Sequence, residues 1–129
     1  MAVGMSTANL ANKVLDGITR TGTFPTAGTL FVRLHTGDPG AAGTANSSAV
    51  TTRSAATFGS AASGGVATMT NTPSWSMTST ETISHISLWD ASTSGNFLWS
   101  GALTASKAVS NGDTLNLSSL TIALTPLAA

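Results

Sequence analysis

The residues in this chain whose types and spacing come nearest to a reactive set are His35 and Asp38, three apart across a turn, with His85 far along the sequence. With a neighbouring Ser or Thr, the first two could supply a base, an orienting acid and a nucleophile. About a third of the 129 residues are Ser or Thr, however, so a hydroxyl near any histidine is guaranteed and spacing alone carries no catalytic signal. The simpler reading has Asp38 accepting backbone N–H groups in the turn and His35 packed at a strand end. His85 needs a third ligand to join His35 around a metal, and none can be named. The chain has no cysteine, which removes thiolate metal sites and disulfides together.

Two further patterns resolve in the same direction. Asp90-Ala91-Ser92-Thr93-Ser94-Gly95 opens like a calcium loop, but its third and fifth positions are neutral serines and its twelfth is Gly101 where a bidentate glutamate belongs. It reads as a hairpin loop. Trp75, Trp89 and Trp99 could stack on a sugar, yet a chain with so few large side chains needs them in its core or in a contact between subunits. The expectation is a non-enzymatic protein with no catalytic residue, no cofactor and no metal site.

The elements that would position these residues are mostly strands. Leu30, Val32 and Leu34 alternate with Phe31, Arg33 and His35, the pattern of a strand with one buried face. The strand runs into Gly37-Asp38-Pro39-Gly40, where Pro39 fixes its own φ and Gly40 takes the positive φ of a type II turn. Before it, Leu10, Val14, Leu15 and Ile18 form the apolar stripe of one short helix within residues 6–20, capped by Ser6 or Thr7 and ended by Thr21-Gly22-Thr23-Phe24-Pro25. Residues 27–129 read as strands and loops. Ala41 to Gly65 is small and hydroxylic, a long loop that adds little to a core and carries a short strand near Ser48 to Thr57. Val66 to Thr70 is a strand ended by Pro73, and Trp75 and Met77 share one face of an extended piece. Thr82 to Leu103 is a hairpin turning at residues 90–96. A second hairpin is expected at Asn111-Gly112, followed by an alternating strand through Leu120, Ile122 and Leu124 up to Pro126. The class expected is mainly β: an antiparallel β-sandwich or partly open barrel with one N-terminal helix, a single domain over 1–129.

Composition narrows the partners. Five basic and five acidic residues cancel, and only 8% of the chain is charged, so it offers no electrostatic footprint for nucleic acid or an anionic membrane. No apolar run is long enough to span a bilayer, and the N-terminus lacks the pattern of a signal peptide. A near-neutral, sparsely charged surface favours association. We expect a homo-oligomer or a repeating lattice, burying on the order of 800 Å² per partner, with the loop from Ala41 to Gly65 ordered by that contact.

The segment Leu30-Phe31-Val32-Arg33-Leu34-His35-Thr36-Gly37-Asp38-Pro39-Gly40, with Gly43 and Asn46 after it, resembles a family of small virion proteins of tailed bacteriophages, described as tail-fibre, minor tail or head-decoration proteins. The likeness continues at Arg53 to Phe58, Gly64-Gly65, Ile83 to Ala91, Gly95-Asn96-Phe97-Leu98 and Asn111 to Leu115. Ser47-Ser48 stand where an acidic residue often follows the glycine-rich turn, and Thr51-Thr52 where an aromatic residue often precedes the arginine. The resemblance implies a β-rich building block of the virion, assembled in the host cytoplasm and held by other virion proteins, either major capsid protein or tail proteins. Of the roles it implies, capsid decoration is the leading expectation. A minor tail or tail-fibre protein, or a carbohydrate- or receptor-binding module, is the alternative.

Overall fold

The computed structural model describes residues 3–22, 28–60 and 64–123. The chain is mainly β, with antiparallel pairings throughout and no closed barrel among the described residues. Ser6 caps the N-terminal helix, its hydroxyl accepting from the Asn9 N–H at 3.4 Å. A π-helical turn, Thr7–Ala11, leads into helix α1, Asn12–Thr19. The helix thus falls within the expected 6–20, but its apolar stripe is not buried. Leu15 is 59% and Ile18 69% exposed. Of the sequence signals noted above, Thr23-Phe24-Pro25, Leu124 and Pro126 lie outside the described residues.

The main sheet has four strands in the order β2-β1-β5-β6. β1 is Leu30–His35, β2 Ser54–Ala56, β5 Glu81–Trp89 and β6 Phe97–Val109. Alternation in β1 puts Val32 and Leu34 on one face, and its register with β5 sets Leu88 and Ile86 beside them. Two ribbons complete that side of the molecule: β3 (Val66–Thr68) pairs with β8 (Thr121–Ala123), and β4 (Ser74–Ser76) with β7 (Thr114–Asn116). Their Trp75, with Met69 and Met77, joins the sheet's Val32, Leu34, Ile83, Ile86 and Leu88 in one hydrophobic cluster. The sandwich is therefore a sheet covered on one face by two small ribbons.

Strict alternation would place Ile83 and Ile86, three apart, on opposite faces. Both are buried, because the register slips between Ile83 and His85: Ile83 pairs with Lys107 and His85 with Ala102, leaving surplus residues on β6. The outer side of β6 is partly covered by the N-terminal segment, where the Ser6 N–H donates to Leu98 O at 2.7 Å and the Ser100 N–H to Gly4 O at 2.8 Å. On the far side of the sheet, the Asn71 side chain receives the Thr57 N–H and donates to Ala55 O, both at 2.9 Å.

Two expectations are corrected. A turn does form at Asn111-Gly112, closed by the Asp113 N–H to Ser110 O at 3.0 Å, but β7 pairs with β4 instead of returning along β6. Only Gly112 takes positive φ there, at 94°, whereas a two-residue hairpin of type I′ needs it at both positions. The turn is held instead by Met77, whose N–H donates to Asp113 O and whose carbonyl accepts from the Gly112 N–H. The second correction concerns residues 41–65, which add more to the core than their composition suggests: Val50 and Ala56 belong to the cluster, Phe58 packs against it and Ser48 is 2% exposed. The Glu81 carboxylate anchors this stretch by accepting from the Ser48 hydroxyl and the Ala49 N–H.

The elbow forms as expected, with Gly40 at φ 73°. Its tightest point is Gly43, at φ 72°, where an added Cβ would overlap the ring of Phe97. Gly43→Ala should therefore cost about 1–3 kcal/mol, combining backbone strain with overpacking. Gly112→Ala, strained in φ but with open space around the new methyl, should cost less. Urea midpoints of the two variants make the comparison, and equal losses would mean that the elbow does not press on Phe97.

Candidate functional site

The face of the main sheet turned away from the ribbons carries the polar residues. Register brings Arg33 opposite Ser87 and His35 opposite His85 on β1 and β5, with Phe31 opposite Trp89. Loops, not a second sheet, cover these side chains. His35 is 0% exposed, its Nδ1 2.8 Å from Ala45 O in the elbow and its Nε2 2.7 Å from the Ser87 hydroxyl. A carbonyl can only accept, so Nδ1 carries the proton and donates. In the neutral ring Nε2 then accepts from the Ser87 O–H, and Ser87 Oγ in turn accepts the Trp89 Nε1–H at 2.8 Å. Every polar atom in this buried chain has a partner when the imidazole is neutral.

The same geometry places each of the residues singled out above. His35 does meet a serine, but Ser87 is itself 0% exposed, and the nitrogen that an orienting carboxylate would hold is taken by a backbone carbonyl. Asp38 acts elsewhere, accepting the Gly40 N–H at 2.8 Å as the turn reading requires. The His35–Ser87 pair therefore presents no nucleophile at the surface. His85 lies beside His35 in register but bonds the Ser84 hydroxyl at 2.8 Å, and among the described residues no three metal-ligating side chains converge. Trp75 and Trp89 are buried at 4% and 6% exposure, and the Trp75 N–H donates to Thr52 O at 3.0 Å. That leaves Trp99, half-buried against the core, as the one of the three tryptophans that is not buried.

The hairpin loop 90–96 is capped from within. Asp90 Oδ1 accepts the Asn96 N–H at 2.7 Å and Oδ2 the Asn96 side-chain amide at 2.8 Å, so both oxygens a cation would use are engaged. Burial opposes the charge on Asp90, but the Asn96 hydrogen bonds and the nearby Arg53 outweigh it and hold the carboxyl below its ordinary range. Arg53 locks the same loop from outside. Its guanidinium carbon sits 3.9 Å from the Trp89 ring centroid, and Nη1 donates to Ala91 O at 2.8 Å and Ser94 O at 2.6 Å. Arg33 donates from Nη2 to Ser47 Oγ at 2.8 Å. The serine at the position where an acid often stands thus serves Arg33, and Arg53 is held by carbonyls and an aromatic face.

Sequence reasoning did not find the grouping of Arg33, Arg53, Ser87 and Trp89. The signal was present in the alternation of His85, Ser87 and Trp89 opposite that of Arg33 and His35, two polar-to-aromatic series of the same period.

Residues 4–125 match the model of a protein family described as podophage GP4 fiber I protein gp80. No curated protein matches the chain. The match spans nearly the whole sequence, and the chain belongs to this family of phage fibre proteins, which are structural proteins of the virion.

The His35 network has a measurable pH consequence. Burial, aided by the positive charge of Arg33, depresses the His35 pKa below its ordinary 6.5 despite the opposing bond to Ala45. The unfolded chain therefore takes up the proton first as pH falls, and the stability of the neutral network, complete above about 6.5, declines from there toward the lower folded value. The unfolding midpoint of the wild type should drop between about pH 7 and about pH 5, and His35→Gln should flatten the profile over that window. Parallel profiles for the two proteins would exclude His35 as the cause.

Proposed function

We propose that the chain is a non-enzymatic subunit of a podophage tail fibre, held in the virion by copies of itself and by other virion proteins. The observation that carries this reading is the match of residues 4–125 to a fibre family. It favours the tail-fibre alternative over capsid decoration, for which nothing comparable speaks. The buried condition of His35 and Ser87 agrees with a building block, and so does a chain in which charges cancel and make up only 8% of residues.

Association is supported by the exposed apolar stripe of α1. Leu15 and Ile18 lie largely in solvent on a helix that is otherwise anchored at its start, where the Asn9 side chain donates to Phe97 O at 2.9 Å. Apolar side chains presented this way on a sparsely charged protein fit a surface covered by a second copy.

Gold-labelled antibody on intact particles tests the location: label on the fibres is expected, and label on the faces of the head would overturn the assignment in favour of decoration. A Leu15→Asp, Ile18→Asp double variant tests the association. Its monomer should keep its unfolding midpoint, with stability within about 0.5 kcal/mol because both sites are exposed, while its oligomeric mass by light scattering falls. An unchanged mass distribution would remove α1 from the contact.

A further inference from the structure

We propose that Arg33 and Arg53, with the hydroxyls of Thr51, Thr52, Ser92 and Thr93, form a binding cleft for an acidic saccharide, its carboxylate or phosphate seated on the two guanidinium groups. This inference stands on these residues and not on where in the virion the chain resides. The cleft encloses about 410 Å³ between the segment that leads into β2 and the 90–96 loop, within the ~300–1,000 Å³ range of small-molecule sites. No carboxylate lines it.

The two cations are held but not consumed by the protein. Among the described residues, Arg53 uses only Nη1, on the Ala91 and Ser94 carbonyls, and Arg33 only Nη2, on Ser47. Arg33 Nε is buried and has no hydrogen-bond partner among the described residues. The acid whose charge acts on Arg53 is Asp90, and its two oxygens are occupied by Asn96. Two like charges face one cleft with little to offset them, which is the arrangement that a carboxylate or phosphate completes through charge-assisted, forked hydrogen bonds. Partial burial and the proximity of Arg33 both weigh against the charge on Arg53, and an anion between the two would relieve the second effect.

The surroundings select for more than a bare ion. None of the hydroxyls of Thr51, Thr52, Ser92 and Thr93 is bonded to another described residue, and all four side chains are exposed. They offer donors and acceptors to a ligand that itself carries hydroxyls. The site is also pre-organised: Arg53 lies on the buried Trp89 ring, and the loop bearing Ser92 and Thr93 is fixed by Asp90 and Arg53. A neutral sugar would leave the guanidinium pair unanswered, and a simple anion would leave the hydroxyls so.

Calorimetric titration of the full chain at low salt with glucuronic acid, a glucose phosphate, glucose and acetate tests this, with tryptophan emission as a second readout. Saturable binding of at least one acidic sugar is expected, about tenfold tighter than acetate, with no saturation by glucose. Whichever of glucuronic acid and the glucose phosphate binds tighter identifies the anionic group. Arg53→Lys, which keeps the charge but loses the planar fork, should weaken binding about tenfold. Thr93→Glu, at an exposed loop position that should not disturb folding, should abolish binding by repulsion. Failure of both acidic sugars to saturate, equal affinity for acetate and glucuronic acid, or undiminished binding in Thr93→Glu would overturn the proposal.

Discussion

The structure turns on a buried run of hydrogen bonds from the Trp89 indole through Ser87 to His35 and out to the Ala45 carbonyl of the elbow. The middle link joins β1 to β5 and the last ties β1 to the elbow, and together they satisfy the polar side-chain atoms of His35 and Ser87, both 0% exposed. Leaving one open would cost about 1–3 kcal/mol, a large share of the stability of a small domain. The elbow and β5 are therefore not free to move apart, and the Trp89 ring is fixed where Arg53 and Phe97 lie against it.

That constraint explains how a chain with few charges and no cysteine makes rigid loops. On the ribbon side of the main sheet, burial of Val32, Leu34, Ile86, Leu88 and Trp75 supplies the usual apolar adhesion. On the other side there is no comparable apolar layer among the described residues. The covering is done by segments that dock with a few directed bonds: Ser47 to Arg33, Ala45 to His35, and the 90–96 loop to Arg53. Hydroxyls suit this work because Ser and Thr both donate and accept, which gives the hydroxyl-rich composition a structural reason.

The parts of this arrangement that were legible in the sequence are those set by local geometry. Alternation from Leu30 to His35, the Pro39-Gly40 corner and the turn-rich 90–96 segment each dictate conformation within a few residues, and β1, the elbow and the β5–β6 hairpin follow them. What could not be read depends on partners remote in the chain. The slip between Ile83 and His85 is a property of the pairing with β6, and the choice of β4 by β7 follows from Trp75 lying opposite Leu115. The convergence of Arg33 and Arg53 needs β1, the approach to β2 and the 90–96 loop in place together. The stripe on α1 was legible as a stripe, but periodicity does not say whether an apolar face is covered by its own chain.

The treatment of the main sheet's outer strands has a consequence for how such a protein tolerates crowding. Strands that end a sheet with unpaired backbone groups invite another chain to add on, and a neutral molecule packed at high local concentration lacks charge repulsion to prevent it. Here the Asn71 amide occupies the Ala55 carbonyl and the Thr57 N–H, the Gly4 to Ser6 segment lies along the start of β6, and the surplus residues of β6 interrupt its remaining length. Strand addition is hindered at both margins of the main sheet. Under the association proposed above, copies of this chain would recognise one another through side chains, so that contact geometry would be written in residues that substitution can tune instead of in a generic amyloid-like ladder.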